Sequence, residues 1–214
     1  MHTSLFSTWI KERIQHPLPG ADAHGTIWSY PRNSFEDALQ LDPPPRHSAV
    51  NLILKESTKS IELGFIVRSD FGIHGGQVAF PGGKTNPGES YEECANRETE
   101  EEIGILPDSY FHLGAMSPVF IPPSNMLVFP MLKLIHKQDP LTLDSREIED
   151  FFWVEIAALL PAKIIEKEHY LKAFDTTRLI KGIPLGNHFL WGASAMITQE
   201  LCHLWQEYLN ETRS

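Results

Sequence analysis

Cysteine is scarce: the 214 residues contain Cys94 and Cys202 and no CxxC pair. That excludes a disulfide framework, a zinc ribbon and a dithiol redox motif, and reads as two reduced thiols in the cytoplasm. No apolar run approaches the ~18 residues that a membrane span requires. The segment Met1-His2-Thr3-Ser4-Leu5-Phe6 has neither the basic nor the apolar stretch of a secretory signal, so secretion is not expected. Positive charge is also short, with 18 Lys and Arg against 28 Asp and Glu and a net charge of −10. A surface of that sign, without a basic stripe, argues against wrapping nucleic acid or lying on an anionic membrane. Internal repeats and low-complexity stretches are missing too, which excludes a solenoid. An acidic protein that binds an anionic substrate needs a cation, and the rest of the sequence supplies a place for one.

Hydrophobic residues make up 42% and charged residues 21%, ordinary globular values. A chain of this size buries its own core without staples and suits one domain over residues 1–214. Residues 1–46 read as an N-terminal helix and a proline-rich connector, and 47–214 as the core with a C-terminal helix. Leu5, Phe6, Trp9, Ile10 and Ile14 fall at helical spacing over residues 4–15. Residues 17–46, closed by Pro43-Pro44-Pro45, are expected to be irregular. Strands are expected at 50–54, 61–67, 110–119, 126–136 and 151–155, with a further strand or hairpin within 162–189. Met196, Ile197, Leu201, Leu204, Trp205 and Tyr208 recur at three and four, which predicts an amphipathic helix over 191–210. Strands with helices before, between and after them indicate an α/β fold.

The segment from Gly82 to Ile105 carries the chemistry. Ser90 with Glu93 three residues on is a capping box, so a helix is expected from about 91, and Gly104 is placed to end it in a left-handed conformation. At 100° per residue, Glu98, Glu101 and Glu102 share an arc of roughly 100°. Like charges at that spacing destabilise a helix. Hard divalent cations such as Mg²⁺ or Mn²⁺ take oxygen ligands and relieve the repulsion. Arg97 is expected to point away from this arc and to reach Glu89, pinning loop to helix. A run of glutamates is by itself a solvated face; the spacing of the residues around it decides otherwise.

Gly83, then Glu89 after five residues, then after seven more Arg97-Glu98-Thr99-Glu100-Glu101-Glu102-Ile103-Gly104-Ile105 resembles the Nudix box of the Nudix hydrolase superfamily. Thr99 stands where an aliphatic residue is common. The resemblance implies an α/β/α sandwich with a mixed β-sheet, a loop–helix–loop metal site and extra N- and C-terminal helices. It implies Glu98, Glu101 and Glu102 as metal ligands, with the Gly82 carbonyl as an addition. Gly83, Glu89, Arg97 and Gly104 would support them. Mg²⁺ or Mn²⁺ would be the cofactor, and a metal-activated water would attack a diphosphate.

The residues upstream, Arg68-Ser69-Asp70-Phe71-Gly72-Ile73-His74-Gly75-Gly76-Gln77-Val78-Ala79-Phe80-Pro81, look like the extension that precedes the box in coenzyme A pyrophosphatases. Pro122-Pro123-Ser124-Asn125, Glu147-Ile148-Glu149-Asp150 and Trp191-Gly192-Ala193-Ser194 resemble further segments of that family. Two departures exist: the stretch between Arg68 and Gly76 is one residue shorter than is usual, and Gly72 replaces a second arginine. The expected substrate is coenzyme A or a thioester, a small nucleotide-derived molecule, with no nucleic-acid or membrane partner and a homodimer left open. The alternatives are another nucleoside diphosphate such as ADP-ribose, a silent nucleotide-sensing module, or removal of pyrophosphate from RNA ends. Arg68, His74 and Lys84 are candidate substrate contacts. The general base is either a box glutamate or Glu147, which matches the family's acidic position before a strand.

Overall fold

The computed structural model describes residues 5–28, 34–57, 60–70, 75–137, 140–171 and 175–213. His74 and Gly72 lie outside these. In chain order the elements are α1 (Phe6–Arg13), α2 (Ala21–Gly25), α3 (Phe35–Leu39), β1 (Arg46–Glu56), β2 (Ile61–Arg68), β3 (Val78–Ala79), β4 (Gly82–Lys84) and α4 (Tyr91–Ile103). There follow β5 (Tyr110–Ala115), β6 (Val119–Ile121), β7 (Met126–Ile135), β8 (Ile148–Glu155), β9 (Ile165–Leu171), β10 (Thr176–Leu185), β11 (His188–Trp191) and α5 (Gly192–Arg213).

The main sheet runs β3-β2-β1-β7-β5, with β4 on β1, β6 on β7 and β8 on β2. β1 and β7 are parallel, from Arg46 opposite Met126 to Leu54 opposite Leu134, while the other pairings are antiparallel, so the sheet is mixed. β1 sits at its centre, and alternation along β1 builds both layers. Leu52 and Leu54 face a core shared with Phe6 and Ile10 of α1 and Leu201 and Leu204 of α5. Ala49 and Ile53, on the other face, pack with Cys94, Ala95 and Ile103 of α4. Asn51 lies on that same face, fully buried, and its amide donates to the Ala95 carbonyl at 3.0 Å and the Thr99 hydroxyl at 2.9 Å. Helices thus cover both faces of one mixed sheet, as an α/β/α arrangement requires.

The structure corrects the expected elements in three places. Residues 17–46 are not wholly irregular, because α2 and α3 form there. Ser34 caps α3 through a capping box with Asp37, and Gly20 ahead of α2 donates its N–H to Glu200 of α5 at 2.8 Å. The strand expected over 110–119 divides into β5 and β6, and a register shift between His112 and Gly114 marks where the first part bends. The hairpin expected within 162–189 is a separate three-stranded sheet, β11-β10-β9.

Candidate active site

The sequence fixes both ends of α4. Ser90 accepts from the Glu93 N–H at 3.2 Å while Glu93 accepts from the Ser90 N–H at 2.8 Å. At the other end Gly104 takes φ +73°. A Cβ there would stand 3.1 Å from the Thr142 nitrogen and 3.2 Å from its carbonyl oxygen, so glycine also permits a close approach. That approach lets an acidic loop finish the helix: Thr142 N–H donates to the Ile103 carbonyl at 3.1 Å and Asp144 N–H to the Glu102 carbonyl at 3.0 Å. Carbonyls that have no partner within a helix end are thereby satisfied. Ser69 holds the far side of the loop, its N–H on the Glu147 carbonyl at 2.8 Å and its hydroxyl on the Arg146 carbonyl at 2.8 Å.

The result is a cavity of about 250 Å³ lined by Glu98, Glu101, Glu102, Asp144, Arg146 and Glu147. The three box glutamates face one space, as their spacing requires, and Glu147 joins them across it. Glu102 is only 3% exposed and accepts from the Gly82 N–H at 2.9 Å. Burial pushes its carboxyl up to about 7, against the lowering effect of that N–H and of Arg68. Glu98 lies against the backbone at Gly83, where a Cβ would fall 2.3 Å from the carboxylate carbon.

Arg97 pins the loop as expected, with Nε on Glu89 at 2.7 Å and Nη2 on the Lys84 carbonyl at 3.2 Å. That bond, then the Asn86 N–H, holds the Glu89 carboxyl down to about 2. The expectation that Arg97 points away from the glutamate arc is wrong. Its Nη1 reaches Glu98 at 2.7 Å and Glu101 at 3.3 Å, because position 97 is adjacent to one and a helical turn from the other.

The other expected residues divide. Arg68 ends β2 with its guanidinium 3.5 Å from Glu102, at the edge of the cavity. Lys84 ends β4 and is exposed. Gly82 meets Glu102 through its N–H. His74 lies outside the described residues. Sequence reasoning missed Asp144 and Arg146. They form a bidentate pair, Arg146 Nε on Asp144 Oδ1 and Nη2 on Oδ2, in which the guanidinium, then the Arg146 N–H, holds the Asp144 carboxyl down to about 2. Backbone bonds to the end of α4 bring them to the cavity, and such bonds leave no mark on residue type.

A model of the NUDIX domain matches residues 45–174, more than half of the chain. The chain belongs to the Nudix family. The human mitochondrial coenzyme A diphosphatase NUDT8 is 31% identical over 131 residues, covering 60% of this chain and 55% of that one. The Nudix hydrolase NudL of Photorhabdus laumondii, described as uncharacterized, is 31% identical over 182 residues, or 79% of this chain and 92% of that one. A MutT protein from Methanosarcina mazei Go1 superposes with a TM-score of 0.49 at 20% identity, over 82% of this chain and 100% of the other. The chain spans only 54–59% of the length of the first curated relatives it matches.

Nudix hydrolases generally use divalent metal ions, and the donor set here fits a hard cation. Glu98, Glu101 and Glu102 bring oxygen donors to one cavity, and Glu102 is a carboxyl whose burial penalises its charge unless a cation compensates. Among the described residues no three acidic, histidine or cysteine side chains are already drawn into a metal-binding cluster. Arg97 is paired with Glu98 and Glu101.

Proposed function

We propose that the protein is a metal-dependent diphosphatase that cleaves coenzyme A or its thioesters into 3′-phosphoadenosine 5′-phosphate and (acyl-)4′-phosphopantetheine. One observation carries the reading: the segment that resembles the coenzyme A pyrophosphatase extension begins at Arg68, whose guanidinium lies 3.5 Å from Glu102 of the acidic cavity, and leads to Gly82, whose N–H donates to the same carboxylate. The likeness to the human coenzyme A diphosphatase supports the same substrate.

Glu98, Glu101 and Glu102 would hold Mg²⁺ or Mn²⁺, which when bound would neutralise substrate charge and lower the pKa of a water so that a hydroxide nucleophile is available near neutral pH. The chain's own groups do the rest. Arg68 offers a planar fork of donors to a diphosphate oxygen at the cavity edge. Glu147, across the cavity from the box glutamates, is our candidate to accept the proton that water loses. The new P–O bond forms as the bridging P–O bond breaks, and the two phosphate monoesters leave.

Because Arg68 lies next to Glu102, it contacts the diphosphate rather than the 3′-phosphate in this reading. Arg68→Ala should then raise KM by roughly ten- to a hundredfold for coenzyme A and dephospho-coenzyme A alike. A loss confined to coenzyme A would assign Arg68 to the 3′-phosphate instead. The substrate itself is tested by kcat/KM across coenzyme A, acetyl-coenzyme A, dephospho-coenzyme A, ADP-ribose and NADH. Coenzyme A or its thioester should rank first; ADP-ribose ranking first would move the assignment to that alternative.

A further inference from the structure

A second cavity, of about 220 Å³, lies between the turn Gly75–Gln77 and the three-stranded sheet. Its floor is aromatic. The His169 ring on β9 is 5.9 Å from Phe189 and 5.1 Å from Trp191 on β11. Lys167, two residues before His169 and so on the same strand face, holds its Nζ 4.1 Å above the Phe189 ring. Burial and then Lys167 push the His169 imidazole below its usual value. Gln77 from the turn and Asn187 from the β10–β11 turn bring amides to the same cavity.

Covering a sheet face does not account for this arrangement. A packed aromatic row closes under another element, whereas this one opens on a cavity, with Trp191 half-buried and Lys167 exposed. The cavity also adjoins the acidic site through one turn. Gly76 N–H donates to the Arg68 carbonyl at 2.8 Å, and Arg68 N–H donates to the Gln77 carbonyl at 3.0 Å. Arg68 then reaches Glu102 with its side chain. From Gln77 to Gly82 is five residues of chain, a separation of at most about 17 Å. A ligand with its diphosphate at Glu102 has one half within range of the aromatic floor.

We propose that this cavity is the subsite for the nucleobase of the substrate's nucleotide half, stacked on His169 and walled by Trp191, whose ring is tilted 57° to it, with the Gln77 and Asn187 residues at its edge. The inference rests on the reading that the substrate is a nucleoside diphosphate derivative. A planar base has a π-face for such a floor, and a pantetheine arm has none. Lys167 gives a nucleotide an attractive charge in a chain of net charge −10.

The test uses AMP and 4′-phosphopantetheine as separate probes, titrated calorimetrically into the metal-free 214-residue chain. AMP should bind, and His169→Ala should weaken it about ten- to a hundredfold while leaving 4′-phosphopantetheine unchanged. Asn187→Ala, at an exposed turn position, and Lys167→Ala should weaken AMP in the same direction. They keep the test decisive if thermal melts show His169→Ala unfolded. Wild-type affinity for AMP in the folded variants, a loss on 4′-phosphopantetheine instead, or no AMP binding to the wild type would overturn the proposal. Hydrolysis of coenzyme A by the wild type is scored separately. Its absence with AMP binding intact would remove the activity reading and leave the subsite.

Discussion

Glu101 and Glu102 face the same cavity under opposite conditions. The Glu101 side chain is 60% exposed and ion-paired with Arg97, whereas Glu102 is buried beneath the Gly82 N–H. Removing charge at the exposed position should therefore leave folding alone. Glu101→Gln should lower kcat by orders of magnitude, since loss of a metal ligand removes several kcal/mol of charge stabilisation, with the melting temperature within a degree or two of wild type. A folded Glu101→Gln protein with wild-type kcat would mean that Glu101 holds no metal. These glutamates were legible in the sequence because helical spacing is local. The contacts of Arg97 with Glu98 and Glu101 were not, since the sequence orders residues around a helix without saying which of several neighbours a long side chain takes.

At the scale of elements, α4 is specified by its own ends, but what it meets is not. Ser90, Glu93 and Gly104 act within a few residues, so both boundaries could be read directly. The loop that carries Asp144, Arg146 and Glu147 is joined to the helix through backbone N–H groups. Gly104→Ala would strain a φ of +73° and press a methyl against Thr142. The strain should cost about 1–2 kcal/mol, and a loop displaced from the helix end should lower kcat as well. Unchanged kcat in a destabilised protein would separate the loop from the chemistry.

The short helices α2 and α3 escaped the sequence reading for a related reason. Five residues are too few to sustain a helix alone, and α2 depends on a partner far along the chain. That partner is Glu200, fully buried on α5, which accepts from Gly20 N–H at 2.8 Å and Ser117 N–H at 3.0 Å and lies 3.7 Å from His24. Burial alone would push its carboxyl up, but the contacts of His24, Ser117 and Gly20 outweigh burial and the net shift is downward. An acid lowered on folding contributes stability above its unfolded value, near 4.5, and loses it as pH falls through the folded value. Glu200→Ala should cost about 3 kcal/mol or more at pH 7, roughly 6–12 °C in Tm. The gap from wild type should narrow as the pH is taken below 4.5. A constant gap from pH 7 to pH 3 would mean that the ionised carboxylate is not what holds the N-terminal connector to α5.

Over the whole molecule, the α/β class and the metal helix followed from local pattern. The layer arrangement came from a resemblance, and alternation along β1 now explains it in physical terms. The three-stranded sheet was only half legible, because β9 carries Glu166, Lys167, Glu168 and His169 in place of a clear apolar alternation. Glu98, Glu101, Glu102, Asp144 and Glu147 meet at one cavity, where a cation would make their charge useful. The most direct measurement is chromatography of coenzyme A incubated with the protein and Mg²⁺ or Mn²⁺, after EDTA, and after the metal is restored. The account requires 3′-phosphoadenosine 5′-phosphate and 4′-phosphopantetheine in equal amounts with metal, none after chelation, and recovery on restoration. Undiminished cleavage by the chelated, metal-free protein would contradict it.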